Sequence, residues 1–155
     1  MEPVIEYYGN GQKKLEYYRV NGVKHGKEIR YCANEQKHRE RYFVNGVKHG
    51  KVTWWHENGK QEAEGDYING KRSGIWTFWH ENGEKEIEIN YVNGMKHGKE
   101  IWWDEYGTKY ESGYNVNDKK NGIWIRWRGN GRIREETIYV NDQFLLSFTI
   151  TRDLS

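Results

Sequence analysis

NGVKHGKE, residues 21–28, returns as NGVKHGKV at 45–52 and as NGMKHGKE at 93–100. Its Asn-Gly pair recurs every 24 residues, at 21, 45, 69 and 93, and becomes Asn-Asp at 117 and 141. A second glycine keeps the same spacing, at Gly26, Gly50, Gly74, Gly98 and Gly122. A fixed period without insertions is the sequence signature of a repeat array.

A second set of turn signals lies half a period away. Its members are Asn10-Gly11, Asn34-Glu35, Asn58-Gly59, Asn82-Gly83, Tyr106-Gly107 and Asn130-Gly131. Between the turns lie strand-like runs such as VTWWH (52–56) and WTFWH (76–80), which are rich in β-branched and aromatic residues. Asn-Gly between two such runs predicts a β-hairpin, because both residues tolerate positive φ.

These signals predict an all-β fold, a single-layer antiparallel β-hairpin repeat array that is elongated and twisted, with no significant helix. Asn21-Gly22 and Gly26 are predicted to be bends that join one hairpin to the next. We expect one repeat domain over 1–155, divided into a half-repeat (1–16), five full repeats (17–138) and a C-terminal capping strand (139–155).

Large aromatic side chains are expected to supply the packing. Only 35% of the residues are hydrophobic, but 15% are aromatic, which argues against disorder. One regular row comprises Tyr7, Tyr31, Trp55, Trp79, Trp103 and Trp127. We expect this row to be structural, with side chains such as Leu15, Ala63 and Ile87 filling the spaces between its rings.

The unit YVNGxKHGKxxWWxENGKxE resembles the MORN repeat, and more closely its variant of 22–24 residues from bacteria and large DNA viruses; the resemblance spans roughly residues 5–143. It implies an open single-layer sheet, elongated and often curved into a groove. It also implies a role as a scaffold, as a membrane- or lipid-associated module, or as the antitoxin that some bacterial members are proposed to be. The resemblance implies no set of catalytic residues.

The repeated Gly, Lys, His and Glu residues give only weak support for a phosphate-binding, metal-binding or catalytic site. GVKHGK has one residue fewer between its glycines than a phosphate-binding loop, lacks the following Ser or Thr, and precedes a strand. Equivalent histidines in neighbouring repeats would lie about 10 Å apart, too far to share a zinc ion. The repeated Glu16, Glu40, Glu64, Glu88 and Glu136 are expected to form a solvated face with cross-strand basic partners. No metal, cofactor or enzymatic activity is predicted.

The face opposite the regular aromatic row varies from repeat to repeat. Its candidate partner-binding residues are Trp54, His56, Trp76, Phe78, His80, Trp102 and Trp124. Left uncovered, they would form an apolar strip typical of an interaction site. The alternative is that the sheet coils onto this face and buries them. The leading hypothesis is a non-catalytic scaffold that binds a protein partner here, as an antitoxin-like or assembly module.

A basic edge supports a second hypothesis, a peripheral lipid-binding module. Lys24, Lys48, Arg72, Lys96 and Lys120 share one position of the repeat and would attract anionic headgroups. The net charge of only +2 predicts no nucleic-acid partner. The single cysteine, Cys32, and the absence of a signal peptide or membrane-spanning run favour a cytoplasmic location.

The C-terminal run FLLSFTI (144–150) departs from the pattern, because Leu146 replaces the second glycine. Terminal repeats commonly differ because they cap the array. We expect this strand either to close the sheet against its own repeat or to pair with another copy of the chain as a homodimer.

Overall fold

Thirteen strands form one antiparallel sheet in chain order in the computed structural model, which describes residues 1–149. The strands are β1 (Glu2–Tyr7), β2 (Lys13–Val20), β3 (Val23–Tyr31), β4 (Lys37–Val44), β5 (Val47–Trp55), β6 (Gln61–Ile68), β7 (Lys71–Trp79), β8 (Lys85–Val92), β9 (Met95–Trp103), β10 (Lys109–Val116), β11 (Lys119–Trp127), β12 (Ile133–Val140) and β13 (Gln143–Thr149). Every strand pairs only with its neighbours in sequence, and the described residues contain no helix. The predicted hairpin array is confirmed.

Both predicted sets of hairpin turns are present. Asn21 and Gly22 have φ of 50° and 77°, and each equivalent pair along the chain also has positive φ, as a two-residue type I′ turn requires. In the other set, the Gly11 N–H donates to the Tyr8 carbonyl at 2.9 Å, and Gly11 has φ of 85°. Turn residues also join repeats, since the Gly46 N–H donates to the Lys24 carbonyl at 2.7 Å.

The prediction for Gly26 is wrong. Gly26 lies inside β3, where the β2–β3 register shifts between Tyr17 and Arg19. Its φ of 79° allows a β-bulge, in which extra residues of one strand face fewer residues of its partner. Turns and bulges both favour glycine for its positive φ, so the residue type alone does not distinguish them.

The core is one transverse row of side chains on one face, which we call the inner face. Three series of residues in this row pair in register across consecutive strands. They are Tyr17, Glu28, Arg41, Val52 and Gly65; Trp76, Ile89, Glu100 and Gly113; and Trp124 and Thr137. Trp76 is 0% exposed, Val52 1% and Trp124 2%. We call this set the core row. The predicted structural row of Trp55, Trp79, Trp103 and Trp127 lies on the opposite, outer face and is only half-buried.

The side chains that bury Trp76 come from its own face. The rings of Tyr67, Trp54, Tyr91 and Phe78 lie 5.2, 5.6, 6.1 and 6.3 Å from the indole, centroid to centroid. The indole also lies directly over Gly65, where any Cβ would overlap its carbons. Its Nε1–H donates to the Asp66 carbonyl at 3.2 Å. A single layer can therefore bury an indole completely.

The same arrangement recurs in the fifth repeat. The Trp124 indole lies over Gly113, and its Nε1–H donates to the Tyr114 carbonyl at 3.1 Å. Elsewhere in the row the positions equivalent to these glycines carry larger residues, such as Tyr17 and Ile89. The glycines thus occur where a tryptophan needs the space above the backbone.

Two buried carboxylates replace tryptophan in the core row. Glu28 is 1% exposed and accepts hydrogen bonds from Lys24, from Arg41 Nε at 2.6 Å and, weakly, from Arg39 Nη2 at 3.5 Å. Burial alone would raise the pKa of Glu28, but the hydrogen bonds from Arg41 and Lys24 outweigh it and hold the pKa below 4.5.

Glu100 is satisfied by a different set of donors. It is 3% exposed and accepts from Asn115 Nδ2 at 2.5 Å, Trp102 Nε1 at 2.9 Å and Lys96 Nζ at 3.2 Å. Three polar groups from two strands, β9 and β10, thus meet at one carboxylate, which offsets the cost of burying it.

The outer face carries the predicted glutamate row, and lysine partners are present. Lys27 and Lys51 reach Glu40 and Glu64 across the strands, each at 2.8 Å. Such partly exposed pairs stabilise the sheet only modestly, by about 0.2–1 kcal/mol each.

The last hairpin has a different register. Ser112 faces Ile125 in β10–β11, but 24 residues further on Glu136 faces Phe148 rather than Thr149. Leu146 lacks the positive φ of the glycine it replaces, so the bulge is one residue shorter. A one-residue slip places side chains on the opposite face, and Phe148 therefore lies on the outer face, where it is 51% exposed. Pairing of 144–150 with a second copy stays a prediction, and Ile150 lies outside the described residues.

Replacing Trp76 with alanine should cost more stability than replacing Trp79. We expect about 3–5 kcal/mol for the fully buried Trp76 and about 1–2 kcal/mol for Trp79, which keeps part of its surface in solvent. Urea denaturation of each variant measures the difference. An equal or larger loss at Trp79 would place the core on the outer face.

Replacing Gly65 with alanine should destabilise the sheet, although alanine loses less backbone conformational entropy on folding than glycine does. The added methyl overlaps the Trp76 indole, and overpacking of this kind costs about 1–3 kcal/mol. Gly129→Ala is the matched control, because its Cβ would meet nothing within 4 Å. Thermal unfolding of both variants tests the close approach, and equal midpoints would contradict it.

Replacing Glu28 with glutamine should lower the free energy of unfolding near pH 7 by about 3 kcal/mol, since Arg39 and Arg41 lose their buried counter-charge. Because the folded-state pKa of Glu28 lies below 4.5, its contribution is complete above that pH. It is lost as the pH falls through the folded-state pKa.

The stability difference between wild type and Glu28→Gln should therefore shrink below about pH 4.5. Urea denaturation at a series of pH values follows it. Glu6→Gln, on the exposed edge strand β1, is the control. A difference that stays constant down to pH 2 would mean that Glu28 is not held ionised.

Candidate functional site

A contiguous apolar strip lies beside the core row on the inner face. Trp54, Ala63, Phe78, Ile87 and Trp102 follow one another in register across β5, β6, β7, β8 and β9. Ala63 is buried, whereas the other four are half-buried and keep one side in solvent. We call these five residues the strip.

The structure divides five of the seven predicted partner-binding residues between two rows. Trp54, Phe78 and Trp102 belong to the strip, whereas Trp76 and Trp124 belong to the core row and are buried. Neither alternative from the sequence holds for the whole face, because the flanking rows cover the central one. Trp76 and Trp124 present no surface that a partner could contact without rearrangement.

The two histidines of the predicted set connect successive repeats. His56 Nε2 lies 2.8 Å from the Trp79 carbonyl oxygen, and His80 Nε2 lies 3.1 Å from that of Trp103. Tyr8 holds the equivalent position and donates its hydroxyl hydrogen to the Tyr31 carbonyl at 2.8 Å. These contacts tie the half-period turns together. His56 and His80 therefore have a structural role, and their contact with a partner stays a prediction.

Ala63 and Ile87 were missed as site residues. The prediction that these two residues and Leu15 fill the spaces in the regular aromatic row is wrong. They lie on the inner face, in register with Phe78 and Trp54. The half-period loops insert a register shift between Trp54 and Trp55, so counting from one strand to the next assigns the wrong face.

The basic edge lies over aromatic rings. Lys24 Nζ is 4.3 Å from the Tyr17 ring centroid, Lys48 Nζ is 4.9 Å from that of Tyr67, and Arg72 Cζ is 4.3 Å from that of Trp76.

The remaining two cations of that edge are held in the same region. Lys120 Nζ is 3.8 Å from the Trp124 ring, whereas Lys96 pairs with Glu100 at 3.2 Å. Cation–π contacts of this kind stabilise by about 0.5–2 kcal/mol each. Four of the five cations, all except Lys48, therefore contact residues of the core row while they also face solvent.

The two ends of the strip differ in charge. At the C-terminal end, Arg126 pairs with Glu111 at 3.0 Å and with Glu135 at 3.8 Å. At the N-terminal end, Arg39 follows Trp54 in register and is itself followed by Arg30. One end carries a cation between two acids, and the other carries two neighbouring cations.

The guanidinium of Arg39 is poorly satisfied. Its Nε is buried and has no hydrogen-bond partner among residues 1–149, and its Nη2 shares Glu28 with Arg41 and Lys24. Burial lowers the pKa of the Arg39 guanidinium, and the charge of Arg41 lowers it further. One carboxylate thus serves three cations.

A groove of about 780 Å³ opens next to this end. Lys14, Arg30 and His38 line it, together with Glu57, Glu62 and Glu81 from later turns and strands. Within residues 1–149, no three His, Cys, Asp or Glu side chains are grouped as a metal site would need. The same residues contain no helix that could cross a bilayer.

The 24-residue unit matches a known family of repeats. The model of the MORN repeat variant family matches two consecutive units, residues 48–69 and 72–93. No curated protein matches the chain. Repeats of this family are non-catalytic modules that generally serve protein or membrane interaction in scaffolds. The matched residues are thus MORN repeats of the variant type, and the same 24-residue unit and hairpin continue on both sides of them.

Proposed function

We propose that this protein is a non-catalytic scaffold that holds a protein partner against the strip, as an antitoxin-like or assembly module. The observation that carries the proposal is the placement of Trp54, Phe78 and Trp102. They are large, half-exposed and placed on alternate strands in one register row, whereas Trp76 and Trp124 in the core row beside them are buried.

The energetics favour the strip as a contact surface. Aromatic side chains dominate the binding energy of protein interfaces when they enter desolvated pockets. The three rings lie on alternate strands, so neighbouring rings are about 10 Å apart and present a surface about 20 Å long. Their buried sides rest on the core row, as Trp54 does on Trp76 at 5.6 Å, so little side-chain entropy remains to be lost on binding.

Lipid binding through the basic edge is less well supported. Lys24, Lys96 and Lys120 expose only about a third of their side chains, 32%, 32% and 33%. Four of the five cations of the edge lie over rings, and Lys96 is paired with Glu100. Engaging a membrane surface would have to compete with these contacts.

The test is binding of the partner that the full chain captures from its native host, once that partner has been purified. Trp54→Ala with Trp102→Ala should weaken its affinity by at least about 30-fold, since hot-spot residues contribute about 2 kcal/mol or more. Calorimetric titration measures the loss.

The matched control is Trp55→Ala with Trp103→Ala, which removes the same rings from the outer face of the same strands. Affinity should change less than about threefold in this variant. Equal losses in both pairs would mean a stability effect and would contradict a contact at the strip. Salt-sensitive flotation with anionic vesicles, lost when Lys24, Lys48 and Lys96 become Glu, would instead favour the lipid hypothesis.

A further inference from the structure

We propose that the N-terminal end of the strip, formed by Arg30 and Arg39, binds a carboxylate of the partner, so that the scaffold recognises an extended segment with an acidic residue beside apolar ones. This inference rests on the proposed function and names the chemistry of the partner that the strip receives.

The charges at this end are not balanced. Arg30 and Arg39 are neighbours in register, and two like charges directly opposite each other destabilise a sheet. Glu28 already takes Arg41 at 2.6 Å and also pairs with Lys24, which leaves Arg39 a contact of 3.5 Å. Among residues 1–149, Arg30 has no ion pair.

Such an arrangement is the one that an external anion would complete. A carboxylate placed between two guanidinium groups accepts charge-assisted hydrogen bonds from both and removes their mutual repulsion. The contrast within the same row is informative, because Arg126 at the other end is already held between Glu111 and Glu135. At the N-terminal end, by contrast, Arg30 has no ion pair among residues 1–149 and Arg39 has a single contact at 3.5 Å, so an acid from outside can pair with them.

The surroundings favour a peptide carboxylate over a polyanion. Arg39 adjoins Trp54 in register, so a ligand must carry its negative charge next to apolar groups. Glu57, Glu62 and Glu81 also line the groove beside Arg30, and they would repel a membrane surface or a nucleic acid with many phosphates. A single acidic side chain followed by apolar residues fits both conditions.

The length of the segment follows from the strand spacing. From Arg39 on β4 to Trp102 on β9 there are five strand intervals, or about 24 Å. An extended chain covers this distance with about seven residues. Rings on alternate strands repeat every 10 Å or so, which matches three residues of a polyproline II segment.

The experiment uses a random 12-residue peptide display library selected on the immobilised full chain. Selected peptides should carry Asp or Glu within about two residues of an aromatic or aliphatic residue. In the best peptide, changing the acid to its amide should weaken binding by about tenfold or more, since hydrogen bonds to charged groups are lost.

Arg30→Gln should weaken the acidic peptide to a similar extent and leave its amide form almost unaffected, which is the coupling that a direct contact produces. Arg39→Gln should behave in the same way. Arg126→Gln is the matched control, because it removes the same charge from the same row where two acids already neutralise it. Its affinity for the peptide should change less than twofold.

The outcomes separate the two proposals. Peptides that depend on Trp54 and Trp102 but show no preference for an acid would overturn the carboxylate site and leave the strip as the contact surface. If the selected peptides bind independently of Trp54 and Trp102, or if the selection yields no peptide, both the carboxylate site and the strip are overturned as contact surfaces for peptide partners. Arg30-dependent binding of anionic vesicles or single-stranded DNA would replace the peptide carboxylate by phosphate.

Discussion

A single-layer sheet has to cover its apolar side chains with other side chains of the same face, because no second layer packs against it. In this protein the constraint is met by three parallel rows on the inner face. The central row becomes the core, while half-exposed aromatic side chains flank it on one side and Lys and Arg side chains on the other. Complete burial of Trp76 shows that long flanking side chains are sufficient.

The constraint also explains why the core is so heterogeneous. Where the row holds tryptophan, the preceding strand provides glycine, as in Gly65 beneath Trp76 and Gly113 beneath Trp124. Where it holds glutamate, neighbouring strands provide cations or amides. Each repeat solves burial locally with its neighbours, as expected of an array whose units contact only the next ones.

Local solutions leave the inner face with a pattern along its length. Apolar side chains concentrate around β5–β9, an unbalanced basic pair lies before them, and a neutralised Glu111–Arg126–Glu135 series lies after them. A repeat backbone that is almost identical from unit to unit therefore carries a surface that is not. The repeats up to β11 differ mainly in which side chains occupy the strip row, since their turns and bulges are alike.

The period, the hairpin turns and the all-β architecture follow from the sequence, because Asn-Gly pairs at a fixed spacing admit few other backbones. Residues 52, 54 and 56 could also be assigned to one face, since strand side chains alternate with a period of two. Three features required the tertiary structure. They are the bulge at Gly26, the shorter bulge at Leu146, and the burial of Trp76 next to the half-exposed Trp54. All three depend on register and on coverage from neighbouring strands, which are interactions between residues distant along the chain.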